Sequence, residues 1–175
     1  MILTKSFVQN ADGLVENISK AAVAGPEVVR LSVTSLLAGG HLLLNDLPGT
    51  GKTLLARSIA RSLGSSFKRI QFNPDLLPTD ITGSSLFNRE ENRFEFVEGP
   101  IFSNIVLADE INRASTRTQS ALLESMAEGQ VTADGRTFQC RLRFVESPNW
   151  RHGPCTIPVL RTRTVLMQVG SSYIP

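Results

Sequence analysis

The sequence predicts an α/β fold with three layers, in which helices cover both faces of a parallel β-sheet. Two short apolar runs, residues 42–44 and 105–108, have the length of buried strands. A glycine-rich loop and a helical repeat follow the first run, and an acidic pair ends the second. Strands that alternate with helices form parallel sheets, and ligands bind at the carboxyl ends of those strands.

The loop after the first run is the most specific motif of the chain, and it reads Asp-Leu-Pro-Gly-Thr-Gly-Lys-Thr over residues 46–53. Its glycines allow backbone N–H groups to point at phosphate oxygens, and the following helix adds the positive end of its dipole. Lys52 is expected to contact the β- and γ-phosphates, and the Thr53 hydroxyl to bind Mg²⁺. The predicted nucleotide-binding residues are Asp46, Leu47, Pro48, Gly49, Thr50, Gly51, Lys52, Thr53 and Leu54.

The neighbours of this loop decide between two interpretations of it. Asp46 stands where the general phosphate-loop pattern has glycine, and glycine-rich turns before helices also occur without any nucleotide. However, Leu55, Ile59 and Leu63 follow the loop at the four-residue spacing of a helix, which Gly64 can end. This order of strand, loop and helix favours a site for a nucleoside triphosphate.

The acidic pair Asp109-Glu110 follows the second apolar run directly. In a phosphate-loop fold, Asp109 can hold the Mg²⁺ shell, and Glu110 can orient and deprotonate the water that attacks the γ-phosphate. The alternative is an ordinary strand that ends in a solvated acidic turn. Lys52 and Thr53 earlier in the chain favour the catalytic interpretation, and the sequence has no Asn-Lys-x-Asp motif for guanine. ATP is therefore the expected nucleotide.

Five segments resemble MoxR-type AAA+ ATPases, and they occur in the family's order. They are residues 42–53, 69–83, 99–102, 107–114 and 118–124. The resemblance implies an ATPase, with Lys52 and Glu110 as catalytic residues, Thr53 and Asp109 as Mg²⁺ ligands, and ATP and Mg²⁺ as cofactors. Asp46 is ordinary in that family. The family also implies a homo-oligomeric ring, usually a hexamer, that remodels or matures partner proteins; the client protein is not identified by the sequence.

Composition excludes several other classes of protein. The 175 residues suffice for one domain, and a net charge of +2 without a long basic tract gives no case for nucleic acid as the main partner. Cys140, Cys155 and His152 are too few and too scattered for a disulfide framework or a metal site. No apolar run approaches the ~18 residues of a membrane span, and no leader pattern is present, so a cytoplasmic protein is expected.

The remaining elements are predicted from local patterns. Residues 4–38 read as helical with a break at Gly25-Pro26, and the resemblance places residues 23–25 near the adenine ring, although plain helix packing explains them equally well. Residues 115–128 predict an amphipathic helix that Ser115 or Thr116 caps and Gly129 ends. Its predicted buried face is Leu122, Leu123 and Met126.

Two hairpins are predicted, over residues 87–97 and 131–138, the second because Asp-Gly suits a tight turn. Phe87 and Phe94 on the first hairpin either contact a protein client or pack on their own domain. Arg113 and Arg117 flank the start of the helix over 115–128. In a ring they can face the nucleotide of a neighbouring subunit; otherwise they are solvated surface residues.

We expect residues 1–175 to form one AAA+ core without a C-terminal lid, family-like over 23–138 and unreliable over 139–165. Charges at Arg141, Arg143 and Glu146 stand where the family has a buried strand, and such charges are costly inside a parallel sheet. The family's sensor asparagine and arginine finger are not readable; the nearest residues are Asn149, Arg161 and Arg163. The family pattern returns at residues 166–169, so paired frame errors within this block are one explanation.

Three functions follow from these expectations. The first is ATP hydrolysis coupled to remodelling of a partner protein. The second is nucleotide binding with little or no hydrolysis, because an arginine finger is worth roughly 10³–10⁵ in rate and none is readable here. The third, a small-molecule kinase, is disfavoured, since it leaves the family-like block around Asp109 unexplained.

Overall fold

The computed structural model describes residues 2–45, 49–140, 143–147 and 164–168. The helices are α1 (Ile2–Ser19), α2 (Pro26–Leu37), α3 (Lys52–Ser62), α4 (Pro78–Thr82) and α5 (Thr116–Glu128). The strands are β1 (His41–Asn45), β2 (Phe67–Gln71), β3 (Gly83–Asn88), β4 (Arg93–Glu98), β5 (Ile105–Asp109), β6 (Gln130–Ala133), β7 (Arg136–Gln139), β8 (Arg143–Ser147) and β9 (Thr164–Gln168). Short 3₁₀ turns occur at Pro100–Phe102 and Ile111–Arg113.

Five of these strands form one sheet in the order β2-β5-β8-β1-β9, and every pairing in it is parallel. Parallel strands need crossover connections, and α3 lies in the connection between β1 and β2, which β8 and β5 separate in the sheet. The predicted α/β class with a parallel sheet is confirmed. All five strands end at the same edge of the sheet, where open α/β folds bind their ligands.

The core consists of two apolar clusters, one on each face of the sheet. The alternation of side chains along β5 shows both, because Ile105 and Leu107 belong to one cluster and Val106 and Ala108 to the other. The first cluster contains residues of α1, α2 and α3, and the second contains residues of α4 and α5. Helices therefore cover both faces, which gives the three layers that the sequence predicts.

A strand is present after residue 138, in the segment whose charges are unfavourable inside a parallel sheet. Arg143–Ser147 forms β8, which pairs in parallel with β5 on one side and with β1 on the other. The two charged positions lie near the ends of this strand, where Arg143 pairs with Ile105 and Glu146 pairs with Ala108. The family-like segment that begins at residue 166 overlaps β9, which pairs with β1.

The two predicted hairpins are present as β3–β4 and β6–β7. They contact each other through side chains of both hairpins. The Phe96 and Phe138 rings stack at 4.1 Å between centroids, with 12° between their planes. The backbone N–H of Ser85 donates to Asp134 Oδ2 at 2.9 Å. The Ser85 hydroxyl, followed by this N–H, lowers the pKa of Asp134. The two hairpins are therefore joined by an aromatic stack and a hydrogen bond.

The predicted end signals of α5 are confirmed, and those of the N-terminal helices are confirmed in part. Ser115 caps α5 by accepting a hydrogen bond from the Thr118 N–H, while Gly129 ends it at a φ of 66°. Leu122 is buried in the second cluster, and Met126 packs against that cluster. The break between α1 and α2 starts earlier than predicted, since α1 ends at Ser19. In the part of the chain that the structure describes, no helix is long and apolar enough to cross a membrane.

Candidate functional site

The glycine-rich loop lies at the carboxyl end of β1 and leads directly into α3. Gly49 and Gly51 have φ values of 87° and 90°, in the left-handed region that favours glycine. Gly51 is the N-cap of α3, and its carbonyl accepts a hydrogen bond from the Leu55 N–H at 2.9 Å. The first helical residues are Lys52 and Thr53, both half-buried. The helix thus begins where a bound phosphate would meet its positive end.

A cavity of about 330 Å³ lies between this loop and the segment that joins α1 to α2. The side chain of Val23 is 81% exposed, whereas Ala24 packs against the first apolar cluster, so helix packing explains Ala24 but not Val23. A cavity of this size and mixed lining matches small-molecule sites in proteins. The lining includes Val23, Ala24, Gly25, Thr50, Gly51 and Lys52.

Asp109 ends β5 on the sheet face that α3 covers. Its neighbours two and four residues earlier, Leu107 and Ile105, pack in the cluster that includes Leu55 and Ile59 of α3, and side chains alternate along a strand. The side chain of Asp109 is 19% exposed, and its Oδ2 accepts a hydrogen bond from Arg69 Nη2 at 2.6 Å. The carboxylate is thus held at the carboxyl edge of the sheet.

Glu110 follows in the left-handed conformation, with φ 59° and ψ 41°. Few residues other than glycine adopt this conformation, and such residues concentrate at functional sites. Its Oε2 accepts a hydrogen bond from Arg113 Nη1 at 2.8 Å, and its carbonyl accepts one from the Arg113 N–H at 2.9 Å. Arg113 therefore contacts the acidic residue of its own chain.

The other predicted residues divide into two groups. Thr50, Lys52 and Thr53 belong to the described loop and helix, and Leu54 is 40% exposed on the first turn of α3. Arg117 is exposed on the first turn of α5. Several predicted residues lie outside the described part of the chain: Asp46, Leu47, Pro48, Asn149, Arg161 and Arg163.

Sequence reasoning missed the contact of Arg69 with Asp109, although it noted the segment over 69–83. The available signal is the order Arg69-Ile70-Gln71, which puts two polar side chains on one face of a strand beside the acidic strand end. Gly83 and Gly99 lie at the base of the first hairpin, and the sequence showed them only as members of the family-like segments 69–83 and 99–102. Their backbones approach closely, as shown by the 2.5 Å between the Gly83 nitrogen and a Cβ built on Gly99.

A second cavity, of about 500 Å³, lies away from the loop near the start of β5. Its lining includes Leu14, Val33, Leu36 and Cys140, and burial raises the pKa of the Cys140 thiol. Among the described residues, no group of three or more His, Cys, Asp or Glu side chains surrounds this or any other cavity as a metal site would require. The candidate functional site is therefore the loop, the smaller cavity and the acidic strand end.

Comparison with known proteins supports this assignment. The family model described as "ATPase family associated with various cellular activities (AAA)" matches residues 41–147, which includes the loop, the acidic pair and β8. The chain is 57% identical to the uncharacterized protein YeaC of Bacillus subtilis, in an alignment that covers 91% of the chain. It is 36% identical to chaperone MoxR1 of Mycobacterium tuberculosis, in an alignment that covers 95% of the chain. It spans about half of these relatives, 51% and 45% of their respective lengths.

The crystal structure of a proposed ATPase from Cytophaga hutchinsonii covers 98% of the chain with a TM-score of 0.74 and 30% identity, while the chain covers 57% of that protein. The match with MoxR1 confirms the resemblance to MoxR proteins that the sequence indicates. The loop, the acidic strand end and the family match agree with one another. The chain belongs to the AAA family of ATPases and is related to its MoxR members.

Proposed function

We propose that the chain binds Mg-ATP, hydrolyses it, and couples hydrolysis to the remodelling of partner proteins. The observation that carries this proposal is the position of the glycine loop and the acidic pair at one edge of the sheet. They end β1 and β5, and only β8 lies between these two strands. The strand spacing separates the two strand ends by roughly 10 Å, a distance that a triphosphate with its Mg²⁺ can span.

Each residue has a role in this proposal. The loop N–H groups and Lys52 hold the phosphates, and residues 23–25 lie beside the base. The donor set fits Mg²⁺, which prefers oxygen ligands, because Thr53 offers a hydroxyl and Asp109 a carboxylate. When bound, Mg²⁺ neutralises charge on the phosphate oxygens. Glu110 accepts the proton of the attacking water.

We expect Lys52→Ala to weaken ATP binding by about 10- to 100-fold, because it removes a charge-assisted hydrogen bond to phosphate. Fluorescence titration with a mant-labelled ATP measures this change. Lys20→Ala is the matched control, since Lys20 is an exposed residue of the N-terminal half that pairs with Glu16 on the surface. Equal affinities for the wild type and Lys52→Ala would contradict the proposed site.

Release of inorganic phosphate from ATP tests the reaction itself. An ATPase releases phosphate without any added acceptor, whereas a small-molecule kinase needs one.

The proposed homo-oligomeric ring is tested by measuring the size of the protein by light scattering with and without Mg-ATP. Because the chain spans about half of its relatives, the activity and the partners of the whole protein are part of the same proposal.

The first hairpin is proposed to contact the client protein. Phe87 and Phe94 are 50% and 71% exposed, and their rings contact each other at 5.2 Å on paired positions of β3 and β4. By contrast, Phe96 packs against Phe102 and Phe138 of the same domain. Exposed apolar side chains that cluster in this way mark interaction sites.

We expect the double variant Phe87→Ser and Phe94→Ser to lose most of the binding to an unfolded protein, with little change in the urea midpoint of unfolding. Casein serves as the unfolded probe, and fluorescence anisotropy of labelled casein measures the affinity. Phe96→Ser is the control, because it removes a half-buried, packed ring of the same hairpin and should lower the urea midpoint instead. Unchanged casein affinity in the double variant would remove the hairpin from the client site.

A further inference from the structure

Arg69 contacts the carboxylate that the proposed function assigns to Mg²⁺. Its Nη2 donates to Asp109 Oδ2 at 2.6 Å and to Gln71 Oε1 at 2.7 Å. In the register of β2 and β5, Gln71 pairs with Asp109 and Arg69 pairs with Leu107. Register partners in a sheet point to the same face, so these side chains lie together under α3. The guanidinium thus reaches diagonally across the two strands to the carboxylate.

The strand order gives this contact a direction. β2 is the outer strand on one side of β5, whereas β8 and then β1, which leads to the glycine loop, lie on the other side. Arg69 therefore approaches Asp109 from the side of β5 opposite the loop. The oxygen that it contacts is Oδ2.

We propose that Arg69 is a positioning residue that holds Asp109 Oδ2 toward β2, so that Asp109 Oδ1 faces Thr53 and the Mg²⁺ shell. This inference rests on the proposed function. A short carboxylate at the end of a strand can rotate, and metal ligands commonly depend on such hydrogen-bond partners for their orientation. Gln71 holds the guanidinium in turn, two residues along the same strand.

The exposure of Arg69 separates this role from a structural one. Its side chain is 46% exposed, and exposed ion pairs contribute little to stability because solvent screens them. Removing the guanidinium is therefore expected to leave the urea midpoint almost unchanged. The effect should appear instead in the Mg²⁺ concentration that nucleotide binding requires.

The experiment is a titration of Mg²⁺ against the chain with a fixed concentration of mant-ATP, compared with binding in EDTA. We expect Arg69→Ala to raise the half-saturating Mg²⁺ concentration about tenfold, as loss of a partner of a metal ligand commonly does. Binding in EDTA should not change. Arg69→Lys should restore part of the Mg²⁺ affinity, because a lysine keeps the positive charge and the hydrogen-bond donors but lacks the planar, pre-organised guanidinium.

Lys68→Ala is the matched control, since Lys68 is the exposed neighbour of Arg69 and points to the other face of β2. A lower Mg²⁺ requirement in Arg69→Ala would overturn the proposal, because it would mean that the arginine competes with the metal. An unchanged requirement, with binding still dependent on Mg²⁺, would overturn it as well and leave the proposed function standing. Nucleotide binding that does not depend on Mg²⁺ in the wild type would overturn both.

Discussion

Replacing Glu110 by glutamine is expected to reduce steady-state ATP turnover by about 10²–10⁴-fold, while Mg-ATP binding stays within about twofold of the wild type. Glutamine has nearly the same shape as glutamate but cannot accept the proton of the attacking water. Phosphate release measures the first quantity, and titration with mant-ATP measures the second. This is the largest effect that we expect on ATP turnover.

The surroundings of Glu110 make this substitution a clean test. A glutamine oxygen can still accept the hydrogen bond that Arg113 Nη1 donates at 2.8 Å. The backbone bond from the Arg113 N–H, which holds the 3₁₀ turn, does not involve the side chain. Glu124→Gln, on the exposed side of α5, is the control for the loss of one negative charge. Equal turnover in Glu110→Gln and the wild type would refute the role of Glu110 as the base.

The largest effect on stability is expected for Gly99→Ala, which should cost about 3 kcal/mol or more because the backbone must move. A Cβ at Gly99 would lie 2.5 Å from the Gly83 nitrogen and 2.6 Å from the Ile81 carbonyl carbon. Both atoms belong to backbone, so no side chain can turn away. The φ of Gly99 is −77°, which alanine adopts freely, so the cost is purely steric.

Urea unfolding of Gly99→Ala measures this cost, and Gly13→Ala is the matched control. Gly13 lies within α1, where an added Cβ meets no atom within 4 Å. The same chemical change should there stabilise the protein by up to about 1 kcal/mol, because alanine favours helix more than glycine does. If both variants have the wild-type urea midpoint, the close approach of Gly83 and Gly99 does not constrain the fold.

The elements of the candidate site could be predicted where one local segment carries all of the information. The glycine loop, its helix and the acidic strand end are contiguous patterns, and each fixes its own backbone through glycine freedom or strand periodicity. The cap of α5 at Ser115 is equally local, since the Thr118 N–H that it satisfies is three residues away. The parallel sheet followed from the alternation of strands and helices.

The contacts between distant segments could not be predicted. Arg69 and Asp109 are 40 residues apart in the chain, and only the pairing of β2 with β5 brings them together. The close approach of Gly83 to Gly99 depends on how the hairpin closes at its base. For β8, the pattern gave the charges but not the register with β5 and β1, which depends on distant segments.

The strand order has a consequence for the synthesis of the chain on the ribosome. β1, which leads into the glycine loop, is flanked in the sheet by β8 and β9, the last two strands that the structure describes. The neighbours of β1 are therefore made roughly 100 residues after it, which takes about 5–20 s at ordinary rates of translation. During that interval β1 has neither of its parallel partners. The strand made earliest is thus among the last to be enclosed, and a nascent chain cannot bring the glycine loop and the acidic pair to one sheet edge until β8, which lies between their strands, has been made.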